Sequence, residues 1–255
     1  VGTASASSSL ESSVGMYVDG VYRTRQSSMI GDMIDMQGVE VLRGPQGTLF
    51  GKNTPSGAIQ FKTKAPSHEP DAFVSVTAGN YDYKTMSAAG NVSIIEDILA
   101  ARVTAFSSEK DGYINIENLD ADANNRNRWG ARLQTLFTPN DDLSVRTIVD
   151  YSKIDEICCS TIQRLGNYEA LETSEQGSDQ VLEALGGTRY EGDQTSSYST
   201  SANHAPLSTS EDSGISVEIE WDANDTVSIN SLTAYRKFES LASIDADFTD
   251  VDLLP

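Results

Sequence analysis

The sequence predicts an all-β protein dominated by one antiparallel sheet, and three observations predict it. After about residue 70 the hydrophobic period is two, the signature of strands with one apolar and one polar face. Long amphipathic helices are absent, and so is any run near the roughly 18 apolar residues of a membrane-spanning helix. Tight turns alternate with long connections along the chain.

The alternation marks strands at Asp71–Asn80, Tyr83–Ile94, Ile98–Glu109, Arg126–Thr138, Leu143–Ile154, Gly214–Asp222 and Val227–Glu239. In the sixth, Ile215, Val217, Ile219 and Trp221 interleave with Ser216, Glu218 and Glu220. The fifth sets Leu143, Val145, Thr147, Val149 and Tyr151 against Ser144, Arg146 and Asp150, and the fourth sets Trp129, Ala131, Leu133 and Phe137 against Arg132 and Gln134. A packed sandwich core does not tolerate such charges, whereas a barrel with a lipid-facing exterior and a wet lumen does. Tight turns fall at Glu96-Asp97, Pro139–Asp142 and Ala223–Asp225, with longer connections over 111–125 and 155–213. Trp129, Phe137, Tyr151, Trp221 and Tyr235 are placed as an interfacial girdle requires. The expected architecture is therefore an incomplete outer-membrane antiparallel β-barrel of about seven strands. A soluble β-sandwich, serving as a secreted adhesin or binding module, is the alternative that period two alone leaves open. The long connection over 155–213 counts against it.

With 18 basic against 38 acidic residues the net charge is −20, which excludes a nucleic-acid surface and favours divalent or cationic counterions. The N-terminal Val1–Ser13 lacks the basic and apolar regions of a signal peptide. Both ends read as cuts through a longer chain.

Residues 14–66 differ from the rest, with short strands, many turns and a basic end at Lys52, Lys62 and Lys64. Two prolines in Ala65–Pro70 mark a linker, giving units of 1–66 and 67–255. In Val39-Glu40-Val41-Leu42-Arg43-Gly44-Pro45-Gln46-Gly47-Thr48-Leu49-Phe50-Gly51, a strand over Val39–Leu42 enters a turn. Pro45 suits its second position and Gly47 its fourth. A second short strand is expected to reach Gly51, before Lys52–Gly57 turns the chain into Ala58–Lys64. Ile59 and Phe61 then point one way, Gln60 and Lys62 the other.

That run, with Lys52-Asn53 and Gly57-Ala58-Ile59 after it, resembles the distal plug signature of TonB-dependent outer-membrane receptors. Val14–Tyr22, with its Asp19-Gly20 turn, resembles the same family's plug. The resemblance covers 14–66 closely and the remainder by architecture. It implies that 1–66 is the C-terminal part of a plug domain and 67–255 the start of a plugged barrel of 22 strands. It also implies active uptake across the outer membrane, most often of a ferric siderophore, with cobalamin or a glycan as other cargoes. Energy would come from the inner-membrane proton gradient through TonB, whose contact box is not in this sequence. Lipid, TonB and the scarce nutrient are the implied partners; no cofactor is implied.

Arg43 matches the plug arginine of the family and is expected to make charge-assisted hydrogen bonds to wall carboxylates, with Glu218 or Glu220 as acceptors. Gly44, Pro45, Gly47, Gly51 and Gly57 are read as serving backbone geometry. Tyr168, Tyr190 and Tyr198 are candidate ligand contacts in the long connection. The adjacent Cys158 and Cys159 are candidates for a vicinal disulfide, or are two free small residues.

Three sharper readings are declined. Gly47–Asn53 is one residue short of a phosphate loop and lacks Ser or Thr after Lys52. Asp120–Asn124 opens like a calcium loop, but Asn125 replaces the turn glycine and Ala131 the bidentate glutamate, so no metal is expected. His68 and His204 belong to no catalytic motif, and no enzyme activity is expected.

Overall fold

The computed structural model describes residues 12–25, 33–51, 53–161, 184–187, 198–245 and 249–251. Two sheets organise it, with a third, small sheet at one rim.

The first sheet contains β1 (Val14–Val18), β2 (Val21–Tyr22), β3 (Met36–Arg43) and β4 (Gly57–Thr63), in the order β2-β1-β4-β3. Asp19 and Gly20 form the two-residue loop between β1 and β2, at φ 47° and 76°, the left-handed pair of a type I′ hairpin turn. β1 runs parallel to β4, while β3 is antiparallel to it. Val18 and Phe61 form a small buried core, with Met16, Met36 and Ile59 packed on it. Gly57 is fixed by two constraints at once: its φ is 148°, and a Cβ there would run into the Leu42 carbonyl.

Between β3 and β4 the structure departs from the sequence expectation. In place of a second strand up to Gly51 there is a single helical turn, α1 (Gly47–Phe50). The amides of Leu49 and Phe50 both bond the Gln46 carbonyl, at 3.2 and 2.9 Å, so this backbone is satisfied locally and has no need of a strand partner. Gly51, at φ 81°, ends the turn. Tyr17 holds it from below, donating to the Phe50 carbonyl at 2.5 Å with the two rings 4.9 Å apart.

The second sheet has seven strands: β5 (Asp71–Gly79), β6 (Tyr83–Ile95), β7 (Leu99–Lys110), β10 (Arg126–Asn140), β11 (Leu143–Glu156), β13 (Leu207–Asn224) and β14 (Val227–Ser243). All are antiparallel neighbours in chain order, an open meander. β13 begins seven residues before the predicted Gly214, because Leu207–Ser213 is polar on both faces and shows no alternation. The remaining strands, β8 (Ile114–Ile116), β9 (Ala121–Ala123) and β12 (Ser199–Thr200), make the small sheet within the long connections. It has its own core of Ile114, Ile116, Ala123 and Ala202, against which Leu119 and Ile157 pack. Thus three tight turns form one rim, and the short β5–β6 turn and the small sheet stand at the other, where the long connections lie.

The large sheet is inverted relative to a soluble protein. Arg102, Thr104, Arg132, Gln134, Asp150, Ser152, Asp212 and Ser216 are buried on the face toward the first sheet. Val74, Val76, Met86, Val103, Leu133, Val149, Ile215, Trp221 and Tyr235 stand exposed on the other. A contiguous apolar face of this kind belongs against hydrocarbon. Trp129 stacks on Tyr151 at 5.1 Å near the outer end, and Phe137 lies eight residues further along β10. At ~3.3 Å per residue and a tilt of ~40°, that separation is about 20 Å, close to the apolar band of an outer membrane.

Replacing Leu133 with arginine on the exposed face is expected to destabilise the lipid-inserted sheet by about 2–4 kcal/mol. The urea midpoint in lipid would show it; an unchanged midpoint would mean that this face does not contact lipid.

Candidate functional site

The groups that carry chemistry lie between the two sheets. On the wall, strand register brings Arg132, Asp150, Gly214 and Arg236 to one level across β10, β11, β13 and β14. Arg236 reaches over β13 to bond both carboxylate oxygens of Asp150, at 2.6 and 2.8 Å, and also bonds Asp212 at 2.6 Å. Gly214 makes that reach possible: a Cβ there would come within 2.7 Å of the Arg236 guanidinium. Arg128 pairs with both oxygens of Glu156 higher on the same face.

The first sheet docks on this wall through charged and polar groups. Arg102 grips Asp35 in a fork, Nε to Oδ2 and Nη2 to Oδ1, each 2.6 Å. Thr104 adds a third bond to Asp35 at 2.8 Å, and the remaining Arg102 nitrogen, Nη1, bonds Asp71 at 2.7 Å. Both members of the fork are buried, with side chains 1% and 4% exposed. Burial pushes the Asp35 carboxyl up, but the bonds from Arg102 and Thr104 outweigh it and hold the group below the ordinary carboxylate range.

A second contact sits at the hairpin tip. Asp19 caps the end of β4, accepting from the Thr63 amide at 3.0 Å and the Thr63 hydroxyl at 2.7 Å. From the wall, Arg146 bonds Asp19 at 3.3 Å, Thr63 at 3.0 Å and Gln134 at 2.6 Å. Higher up, Arg23 lies 3.6 Å from Asp212, with both side chains buried. The interface is therefore ionic and hydrogen-bonded along its length, with the small apolar core kept inside the first sheet.

The TonB-dependent receptor plug domain family matches residues 2–58. The pesticin receptors of Yersinia enterocolitica and Yersinia pestis are 32% identical over 111 residues, covering 44% of this chain and 16% of theirs. The ferric yersiniabactin uptake receptor of Yersinia pestis superposes with a TM-score of 0.73 at 17% identity, over 92% of this chain and 33% of that one. The ferric-catecholate import receptor of E. coli K12 gives 0.64 at 17% identity, over 88% of this chain and 32% of that one. An inverted sheet wrapped on a plug-type sheet, together with these matches, decides the family. Residues 2–58 belong to the plug family of TonB-dependent receptors, and the chain as a whole has the fold of part of an outer-membrane receptor of that kind.

The first sheet is thus plug and the second is barrel wall, open in this chain and located in the outer membrane. The chain spans about a third of the length of the solved receptors that it superposes on.

The sequence-predicted site residues are distributed unevenly over this frame. Arg43 is exposed at the end of β3, and among the described residues it makes no ion pair. β3 is the plug edge away from β13 and β14, whose contacts with the plug fall on the other side of its sheet, at Gly20 and Arg23. The arginine that stands beside Glu218 is Arg146 of the wall, at 4.0 Å, and Glu220 is exposed. Arg43, Gly44, Pro45, Gly47 and Gly51 together shape the β3–α1 corner, with Gly44 at φ 84°. Tyr198 is 46% exposed and meets the edge of Tyr113, which in turn neighbours Tyr81. Tyr168 and Tyr190 lie outside the described residues. Cys158 and Cys159 are joined as a vicinal disulfide just after β11. Among the described residues no three His, Cys, Asp or Glu side chains gather as a metal site.

Sequence reasoning did not single out Asp35 or Arg102. Arg102 did carry a signal, as the one charge in the stretch Leu99–Ser108 of β7, otherwise made of small and apolar residues. Asp19 was legible only as a turn residue.

Removing Arg102 leaves a buried carboxylate without its counter-charge, so Arg102→Ala is expected to weaken plug docking by about 3–5 kcal/mol. Arg102→Met combined with Asp35→Leu should recover most of that loss, read as the urea midpoint for protease resistance of the plug. Equal losses in the single and double variants would show that shape and not charge holds the contact. Because the Asp35 pKa is depressed on folding, its contribution is complete above the unfolded value of about 3.9 and disappears as pH falls through the folded value. Hydrogen exchange of the Lys64 amide, which donates to the Asp35 carbonyl, should therefore, relative to its intrinsic rate at each pH, stay slow down to about pH 4 and accelerate below it. Acceleration already between pH 7 and 5 would refute this.

Proposed function

We propose that this chain forms the distal plug, residues 1–66, and the opening wall, residues 67–255, of a receptor that imports a scarce nutrient across the outer membrane. Uptake is driven by TonB and the inner-membrane proton gradient. The leading cargo is a ferric siderophore, with cobalamin or a glycan as the alternatives within the same machinery.

The observation that carries this reading is the chemistry of the plug–wall seam. A plug that must rearrange has to part from the wall without exposing apolar surface. A seam of Arg, Asp, Thr and Gln side chains does that, because each group that separates is taken up by water in the lumen. The plug's own core, Val18 and Phe61 with their neighbours, lies within the plug sheet. The names of the relatives support the cargo class, since those solved with this fold include receptors for ferric yersiniabactin and ferric catecholates. Arg43 and the outer-rim Tyr198 remain candidates for plug contacts and ligand contacts respectively. The reading assigns this chain no catalytic step.

Deleting the full-length gene should abolish iron-limited growth on one or more ferric siderophores, and complementation in a strain with TonB, but not in one without it, should restore growth. Retained ligand binding with no TonB-dependent uptake of siderophore, cobalamin or maltodextrin would replace transport by simple adhesion or binding.

A further inference from the structure

The stretch that joins plug to wall, residues 64–70, looks in sequence like a slack tether with two prolines. In the structure the barrel wall takes up polar groups of Lys64, Ser67, His68 and Glu69. Asn91, 6% exposed on β6, accepts from the Ser67 amide at 3.0 Å and donates through Nδ2 to the Ser67 carbonyl at 2.8 Å and the Glu69 carbonyl at 2.7 Å. The same nitrogen lies 3.2 Å from the Ser67 hydroxyl. His68 sits between the hydroxyls of Ser93 on β6 and Thr138 on β10, at 3.0 and 3.4 Å. Gln134 donates to the Lys64 carbonyl at 3.1 Å, and the Lys64 amide donates to the Asp35 carbonyl at 2.9 Å. Pro66 is buried among these contacts.

We propose that Asn91 is a positioning residue that clamps this linker to the wall, so that the seam along which the plug parts from the barrel lies at Thr63–Lys64 and not within residues 64–70. One primary amide satisfies two linker carbonyls and one linker amide, groups that two prolines withhold from any regular ladder. The linker then behaves as the first fixed segment of the barrel, and a rearranging plug pivots where β4 ends. This rests on the plug-and-barrel reading, but not on the identity of the cargo or on TonB.

The test is amide hydrogen exchange of the full-length receptor in detergent under rising urea. The Ser67 amide is expected to lose protection together with amides of β6 and β7, at a higher urea concentration than amides of β1 and β4. In Asn91→Ala, Ser67 exchange should rise about three- to tenfold, the scale of one net hydrogen bond, while β6 amides beyond the site are unchanged. Asn91→Asp, which keeps the acceptor but sets a carboxylate against two carbonyls, should not rescue the clamp. Ser67→Ala, which removes the hydroxyl and its bonds to Asn91 and the Glu69 carbonyl but keeps the three backbone contacts of Asn91, should leave Ser67 protection close to that of the parent receptor. Ser67 exchanging with the plug strands in the unmodified receptor would overturn the proposal, and that measurement requires no variant to fold. An unchanged Ser67 rate in Asn91→Ala would overturn it as well. If every amide lost protection in one step, the plug-and-barrel division itself would fail, an outcome distinct from a linker that follows the plug.

Discussion

A strand placed in hydrocarbon has no water to satisfy its amides and carbonyls, and each unpaired group costs several kcal/mol. The long ladders from β5 to β14, whose register shifts fall only next to the tight turns, answer that constraint, and most of the other features depend on it. Pairing every strand antiparallel to the next fixes which residues face lipid. Because side chains alternate with period two, it also consigns every other residue to the lumen. The side chains that hold the plug are thus the necessary counterpart of the apolar band. Arg102 faces inward because Val103 faces lipid, and Asp150 does so because Val149 and Tyr151 do.

An inward-facing charge that is buried beneath the plug is stable only when it is matched. Here the matches are of two kinds. Arg236 with Asp150 and Asp212 ties wall strand to wall strand. Arg102 with Asp35, and Arg146 with Asp19, tie wall to plug. The first kind stiffens the sheet, while the second makes a seam that water can replace. Gly214 shows how closely the two are built: a Cβ there would come within 2.7 Å of the Arg236 guanidinium on its way to Asp150.

Much of the wall was legible before any coordinates. Period two located all seven long strands, and interior polarity identified the inward face, because both are local consequences of side-chain alternation. The plug strand through Val39–Leu42 and the Asp19-Gly20 turn were legible for the same reason, since turn chemistry acts over a few residues. Where local signals were silent the reading failed. The start of β13 is built mostly of Ser, Thr, Glu and Asp on both faces, so no alternation marks it. The segment after Gln46 closed as a helical turn, a choice made by two amides competing for one carbonyl.

The sequence by itself determined the strands, their faces, the inverted polarity and the resemblance of the plug motif, because each is written within about a dozen consecutive residues. Tertiary structure alone decided the partners across the seam. Asp35 and Arg102 are 67 residues apart, and Arg146 and Asp19 are 127 apart. Which charge meets which depends on strand register and on how the plug sheet is seated, and no local pattern encodes either. Arg43 illustrates the difference: its motif was plain in the sequence, but its place on the plug edge away from Glu218 follows from the sheet order β2-β1-β4-β3.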